Sequence, residues 1–397
     1  MTARIFLAAF FLCGHLVAQS PASRWIGEGR NLRAKGDAAG ALHAFELARE
    51  ADPRSAEAED EIGFILAATN RAAEARPHFE KAVQLDPAFA VARFHLGVSY
   101  WLAQDANRAI PELEAAVRLR PGAWEYLYRL GAAYDASGRH AEAVRPLSEA
   151  VRLSPSNGAL RNALGLALQQ AGRLDSAVDE YRRAVELEPS STDARNNLGL
   201  ALVNTRRADE ALLQFRKVLQ LDPANMMAQV NIGFAYIQKA DLDKAVAHFR
   251  AMLAEHDDLA IAHHDLGLAL KEKDDLEGAK KELARALELD PGLAEAHYTL
   301  GIIDWQSGEF DGAVRQMRAA VALRGDYGEA YFILGTALKQ KGDLDGAIVA
   351  LREAGRLNPA DPGPLNTLGQ ALRLKGDAEG SKAAFAAGAR AKAAIDA

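Results

Sequence analysis

The segment Leu160-Arg161-Asn162-Ala163-Leu164-Gly165-Leu166-Ala167-Leu168 reads as an amphipathic helix with a glycine in its middle. A mid-helix glycine costs about 1 kcal/mol against alanine. The same glycine returns every 34 residues, as Gly29, Gly63, Gly97, Gly131, Gly165, Gly199, Gly233, Gly267, Gly301, Gly335 and Gly369. No insertion or deletion disturbs the series. A penalty repeated so regularly needs a steric cause, and close approach of a second helix supplies one.

The surface of that second helix is visible twelve residues on. Ala41, Ala75, Ala109, Ala143, Ala177, Ala211, Ala245, Ala279, Ala313 and Ala347 hold one column, from which only Ser381 departs. Four residues further stands a large apolar residue: Phe45, Phe79, Leu113, Leu147, Tyr181, Phe215, Phe249, Leu283, Met317, Leu351 and Phe385. Small and large residues at i and i+4 share one helix face and form a ridge that fits against the glycine. Gly36, Gly138, Gly172, Gly308, Gly342 and Gly376 fall between the two helices, where a left-handed backbone is needed. Pro53, Pro87, Pro121, Pro155, Pro189, Pro223, Pro291 and Pro359 break the chain before the next unit.

This pattern resembles a tetratricopeptide repeat array. The repeats run 22–55, 56–89, 90–123, 124–157, 158–191, 192–225, 226–259, 260–293, 294–327, 328–361 and 362–395, within an array spanning 19–395. The resemblance implies an all-α fold: a right-handed α-solenoid, or superhelix, of eleven 34-residue helix-turn-helix units. It also implies that the first helix of each pair lines a concave groove. Such a unit buries its faces only against its neighbours.

Ahead of the array, Arg4 and the apolar run Ile5 to Val17 read as a signal peptide over 1–18, cleaved after Ala18. The run is short for a membrane span, which takes roughly 20 residues. A periplasmic or secreted protein with no integral membrane segment is therefore expected. Cys13, the single cysteine, would leave with the leader. That excludes disulfides, a Cys-ligated zinc and a Cys nucleophile from the mature chain. The net charge is −7 with both signs well mixed. Binders of nucleic acid usually show a basic patch, so no nucleic acid is expected.

Groups for catalysis are sparse. Glu255-His256-Asp257-Asp258, His263-His264-Asp265 and His297 could in principle bind a divalent ion in a metal-dependent hydrolase. His256 falls in a turn, however, and His263 and His264 point apart at a helix start, which suits a solvated surface. Glu57 and Glu59 read as helix-surface carboxylates. With no phosphate loop, nucleophile elbow or H-E-x-x-H helix, no catalytic residue, metal or cofactor is expected.

The groove is more informative. Its columns hold Phe64, Phe94, Trp101 and Tyr128 near one end and Tyr298, Trp305 and Phe332 near the other. Asn162, Asn196, Asn197 and Asn231 lie between them. Elsewhere the column of Trp101 and Trp305 holds Arg33, Asp135 and Lys271, so tryptophan there offers apolar area to a partner. The asparagines resemble in part the ladder in the repeats of O-GlcNAc transferase, which holds peptide backbone; only two successive repeats, through Asn197 and Asn231, continue that column here. A carboxylate clamp like that of chaperone-tail binders is not matched, because Ile26, Arg30, Glu61, Val91 and His95 occupy its places. The expected function is an interaction scaffold holding an extended peptide or partner helix. An assembly factor for exported polysaccharide is the alternative, and self-association through exposed patches is a further option.

Overall fold

The computed structural model describes residues 20–396. The leader expected at 1–18 lies outside them. The described residues form twenty-two α-helices and no strand, arranged as eleven consecutive antiparallel pairs. Gly158–Gln170 and Leu174–Leu187 make one such pair. Up to Leu187, and again from Thr192 onward, each helix packs on its chain neighbours, and first helices also touch the first helices of adjacent pairs. This is the stacking of an α-solenoid. The chain divides into two compact units, one ending at Pro189 and one starting at Ser190.

In every pair a Cβ on the recurrent glycine would come within 3.0 Å of the large side chain of the second helix. At Gly63 the obstacle is Phe79 Cε1 at 2.7 Å. Phe45, Tyr181, Phe215 and Phe249 are completely buried in these contacts. Burial of one such side chain is worth about 1.5–3 kcal/mol, which outweighs the propensity cost of the glycine. Ser381, the exception in the alanine column, donates its hydroxyl to the carbonyl of Gly369 at 2.8 Å. A polar group enters the core there only because the glycine's own backbone satisfies it.

All six turn glycines have positive φ, as a left-handed turn requires. In the other five pairs Asn70, Gln104, Arg206, Ala240 and Asp274 adopt the same conformation without being glycine.

A polar staple recurs between the helices of a pair, always 19 residues apart. Arg93 Nη1 meets Glu112 at 2.7 Å, Arg161 Nη1 meets Glu180 at 2.8 Å, and His263 Nδ1 lies 2.7 Å from Glu282. Arg195 with Gln214 and His297 with Gln316 repeat the geometry. In the seventh pair the Gln229 backbone carbonyl accepts from His248 Nε2 at 2.7 Å. Neighbouring pairs in the second unit are also joined by ion pairs 30 residues apart: Lys239 to Asp209, Lys273 to Asp243, Lys341 to Asp311 and Lys375 to Asp345.

Candidate functional site: the faces of the first helices

The first unit gathers aromatic rings on its first helices, and each is engaged by the protein itself. The guanidinium of Arg33 lies 4.9 Å from the centre of the Phe64 ring, and the His95 ring is 5.3 Å from it. Phe94 stacks on Tyr126 at 4.3 Å. Arg129 lies over both Trp101 and Tyr128, at 5.3 and 5.5 Å. Phe64, Phe94, Trp101 and Tyr128 are all half-buried, and Phe64 and Trp101 pack against the apolar core.

Beneath these rings lie three consecutive buried acids, Glu59, Asp60 and Glu61. Each meets a different helix. His78 Nδ1 is 2.6 Å from Glu59, His95 Nδ1 is 2.8 Å from Asp60, and Arg30 Nε donates to Glu61 at 2.6 Å. Arg33 also pairs with Glu61, and Arg30 with the exposed Glu57. The surface reading holds for Glu57 and fails for Glu59, whose partner on the facing helix takes it into the interior. Burying such a charge is tolerable only when it is paired and hydrogen-bonded. The same network occupies the places where a carboxylate clamp would stand.

Asn162 and Asn197 are half-buried and engaged with neighbouring groups. Asn196 and Asn231, in the second unit, differ. They are 9% and 5% exposed, and Asn196 Oδ1 and Asn231 Nδ2 are covered from solvent without a hydrogen-bond partner. They stand 35 residues apart, the separation that brings Asp60 to His95 in the first unit. His264 and Thr299 repeat it, with Nε2 and Oγ1 at 3.5 Å. One helix face is thus joined to the next through a fixed pair of places. In the asparagine pair one acceptor and one donor are left unused.

Further along, Tyr298 packs on Tyr327 with ring centres 4.8 Å apart, and Arg324 covers Tyr327. Burial pushes the Tyr327 phenol up to about 12, so it stays neutral. Phe332 is half-buried. Trp305 is half-buried against the core, and its indole N–H is covered with no acceptor.

The histidines expected at a solvated helix start are buried instead. His263 places Nδ1 on Glu282 and Nε2 3.1 Å from the Asp257 carbonyl, and His264 places Nδ1 2.9 Å from Asp265. His297 binds Gln316 and the Pro291 carbonyl. These rings spend their nitrogens on internal contacts. Among the described residues no three His, Cys, Asp or Glu side chains are placed to share a metal ion. The partners of these histidines on facing helices lie 19 or 35 residues away, so a search at 34-residue spacing passes over them.

With this geometry in view, comparison with known proteins assigns the chain to a family. Tetratricopeptide repeat models match residues 26–90, 65–123, 94–158, 162–225, 202–260 and 298–362, and a second such model matches 260–293. The chain belongs to the tetratricopeptide repeat family. No curated protein sequence matches it. A tetratricopeptide repeat protein from Parabacteroides merdae is similar in structure at TM-score 0.58 and 15% identity, covering 63% of this chain and 98% of its own. Yeast Tom70 is similar at TM-score 0.51 and 14% identity, covering 93% and 91%. YrrB, described as a TPR protein with an unusual peptide-binding site, aligns at TM-score 0.45 and 25% identity over 47% and 96%. Family and fold together make the chain a protein-interaction scaffold.

Proposed function

We propose that the first-helix faces hold an extended peptide segment of a protein partner, in the periplasm or outside the cell. The observation that carries this is the unused pair at Asn196 and Asn231. A buried polar atom without a partner costs about 1–3 kcal/mol. An extended peptide offers an N–H and a C=O at each residue, so a segment laid across the pair recovers both costs once the two amides turn outward to meet it. Helix partners are less suited, because their backbone groups are spent internally. The half-buried ring at Trp305, in the same unit, would add apolar contact with side chains of the segment.

The test is selection from a random peptide library displayed on phage, with Asn196→Ala/Asn231→Ala as counter-target. Peptides are expected to bind the native chain and to lose roughly tenfold or more in affinity for the variant, since two hydrogen bonds are removed. Peptides that bind both equally would overturn the reading. Export is tested separately by N-terminal sequencing of the protein recovered from the periplasm or medium, which is expected to begin at Gln19.

A further inference from the structure

The residue after the large apolar side chain of each second helix forms a column of its own. In the first unit it reads Glu46, Glu80, Glu114, Ser148 and Arg182; in the second, Arg216, Arg250, Ala284, Arg318, Arg352 and Ala386. These residues stand 34 apart, so no charge run appears in the linear sequence and the mixed composition conceals them.

The structure gives both stretches the same local seat. Glu80 Oε1 accepts from the Tyr100 hydroxyl at 2.8 Å, and Glu114 accepts from Tyr134. Arg216 Nη2 donates to the Tyr236 hydroxyl at 3.2 Å. In each case the tyrosine belongs to the next pair, 20 residues on. The charge is therefore held at a fixed place on the second helices, acidic over the first three pairs and basic at Arg216, Arg250, Arg318 and Arg352. Arg108 and Arg139 cover the rings of Tyr100 and Tyr134 but are paired with their own acids, Asp105 and Glu142. Arg118 stands 3.7 Å from Glu114 in an exposed pair of little strength. In the second unit Arg250, Arg318 and Arg352 are exposed and make no ion pair or hydrogen bond among the described residues.

We propose that this column is an interface between copies of the chain, the Glu46–Glu80–Glu114 face of one copy meeting the Arg216–Arg250–Arg318–Arg352 face of another. Complementary charge selects the partner. Both stretches share one repeat length and one helix position, so two of the three glutamates can meet arginines at once, across Arg216–Arg250, across Arg318–Arg352, or on either side of the gap at Ala284. Opposite-sign columns of this kind steer association and set register. Contact between unlike patches is heterologous, and its assemblies close into rings or grow as filaments according to the rotation between copies.

Analytical ultracentrifugation of the full chain tests this. At low salt the native protein is expected to form larger species with rising concentration, and added salt should dissociate them. Arg250→Glu/Arg318→Glu/Arg352→Glu, confirmed as folded by circular dichroism, is expected to sediment as a monomer. Glu46→Arg/Glu80→Arg/Glu114→Arg should do likewise alone. Mixed together, the two variants should associate again, since each then carries the charge the other needs. A native chain that stays monomeric at low salt overturns the proposal. So does association that survives the arginine reversal, or a monomer whose arginines instead carry binding to anionic lipid vesicles.

Discussion

The ring of Tyr181 lies against the backbone of Gly165, where an added Cβ would stand 2.7 Å from Cδ1. The ring is completely buried and cannot swing away. One glycine thus sets how closely the two helices of its pair approach.

Gly165→Ala gains helix propensity and loses packing. Overpacking a tight core costs about 1–3 kcal/mol, and the propensity gain returns less than about 1 kcal/mol. A net loss of about 1–2 kcal/mol is expected in urea denaturation. Gly27→Ala is the control, because nothing lies within 4 Å of a Cβ there. That variant is expected to gain about 0.5–1 kcal/mol. Equal effects at the two positions would refute the steric account.

Ala240 turns the chain with φ 59° where six other pairs use glycine. A left-handed backbone costs an L-residue about 1–2 kcal/mol. Ala240→Gly is expected to raise stability by about 0.5–1 kcal/mol after the larger entropy of the unfolded chain is counted. A lowered denaturation midpoint would show that the turn is unstrained.

Trp305 supplies apolar area while its N–H goes unmet. Trp305→Phe removes the unmet donor and keeps much of the ring, so stability is expected to change by less than about 1 kcal/mol. Trp305→Ala is expected to lose about 2–4 kcal/mol because the site is only half-buried. Comparison of the two unfolding curves separates packing from hydrogen bonding at this residue.

Burial holds the imidazole of His248 below its ordinary 6.5, and the hydrogen bond to the Gln229 carbonyl offsets this only in part. A depressed folded value means that the unfolded chain takes up the proton first. The contribution is whole above pH 6.5 and is lost as pH falls through the lower folded value. His248→Gln should therefore lose less stability than the native chain between pH 7.5 and pH 5.5, as read by urea midpoints. An identical loss in both would contradict the assignment.

The architecture was legible because its cause is strictly periodic: glycine, alanine and a large apolar residue repeat in one register, and the structure sets them against one another. The leader was legible only as an expectation, since it lies outside the described residues. The first-helix faces were legible in part. Their aromatic and amide columns could be read, but Arg129, which covers Trp101 and Tyr128, sits in another column, and nothing in the spacing shows that Arg33 reaches across to Phe64. The burial of Glu59, His263 and His264 was hidden for the same reason, because their partners stand at other separations. The charged column on the second helices escaped because composition averages over the chain what folding sorts to one side.

The contact between Gly165 and Tyr181 also constrains heredity. One residue inserted within the second helix, between Leu174 and Tyr181, would swing the ring about 100° around its helix and away from the glycine. Small insertions and deletions inside either helix thus break the contact. Gain or loss of a whole 34-residue module preserves every such contact. The module, not the residue, is therefore the unit in which this packing can be lengthened or shortened without loss.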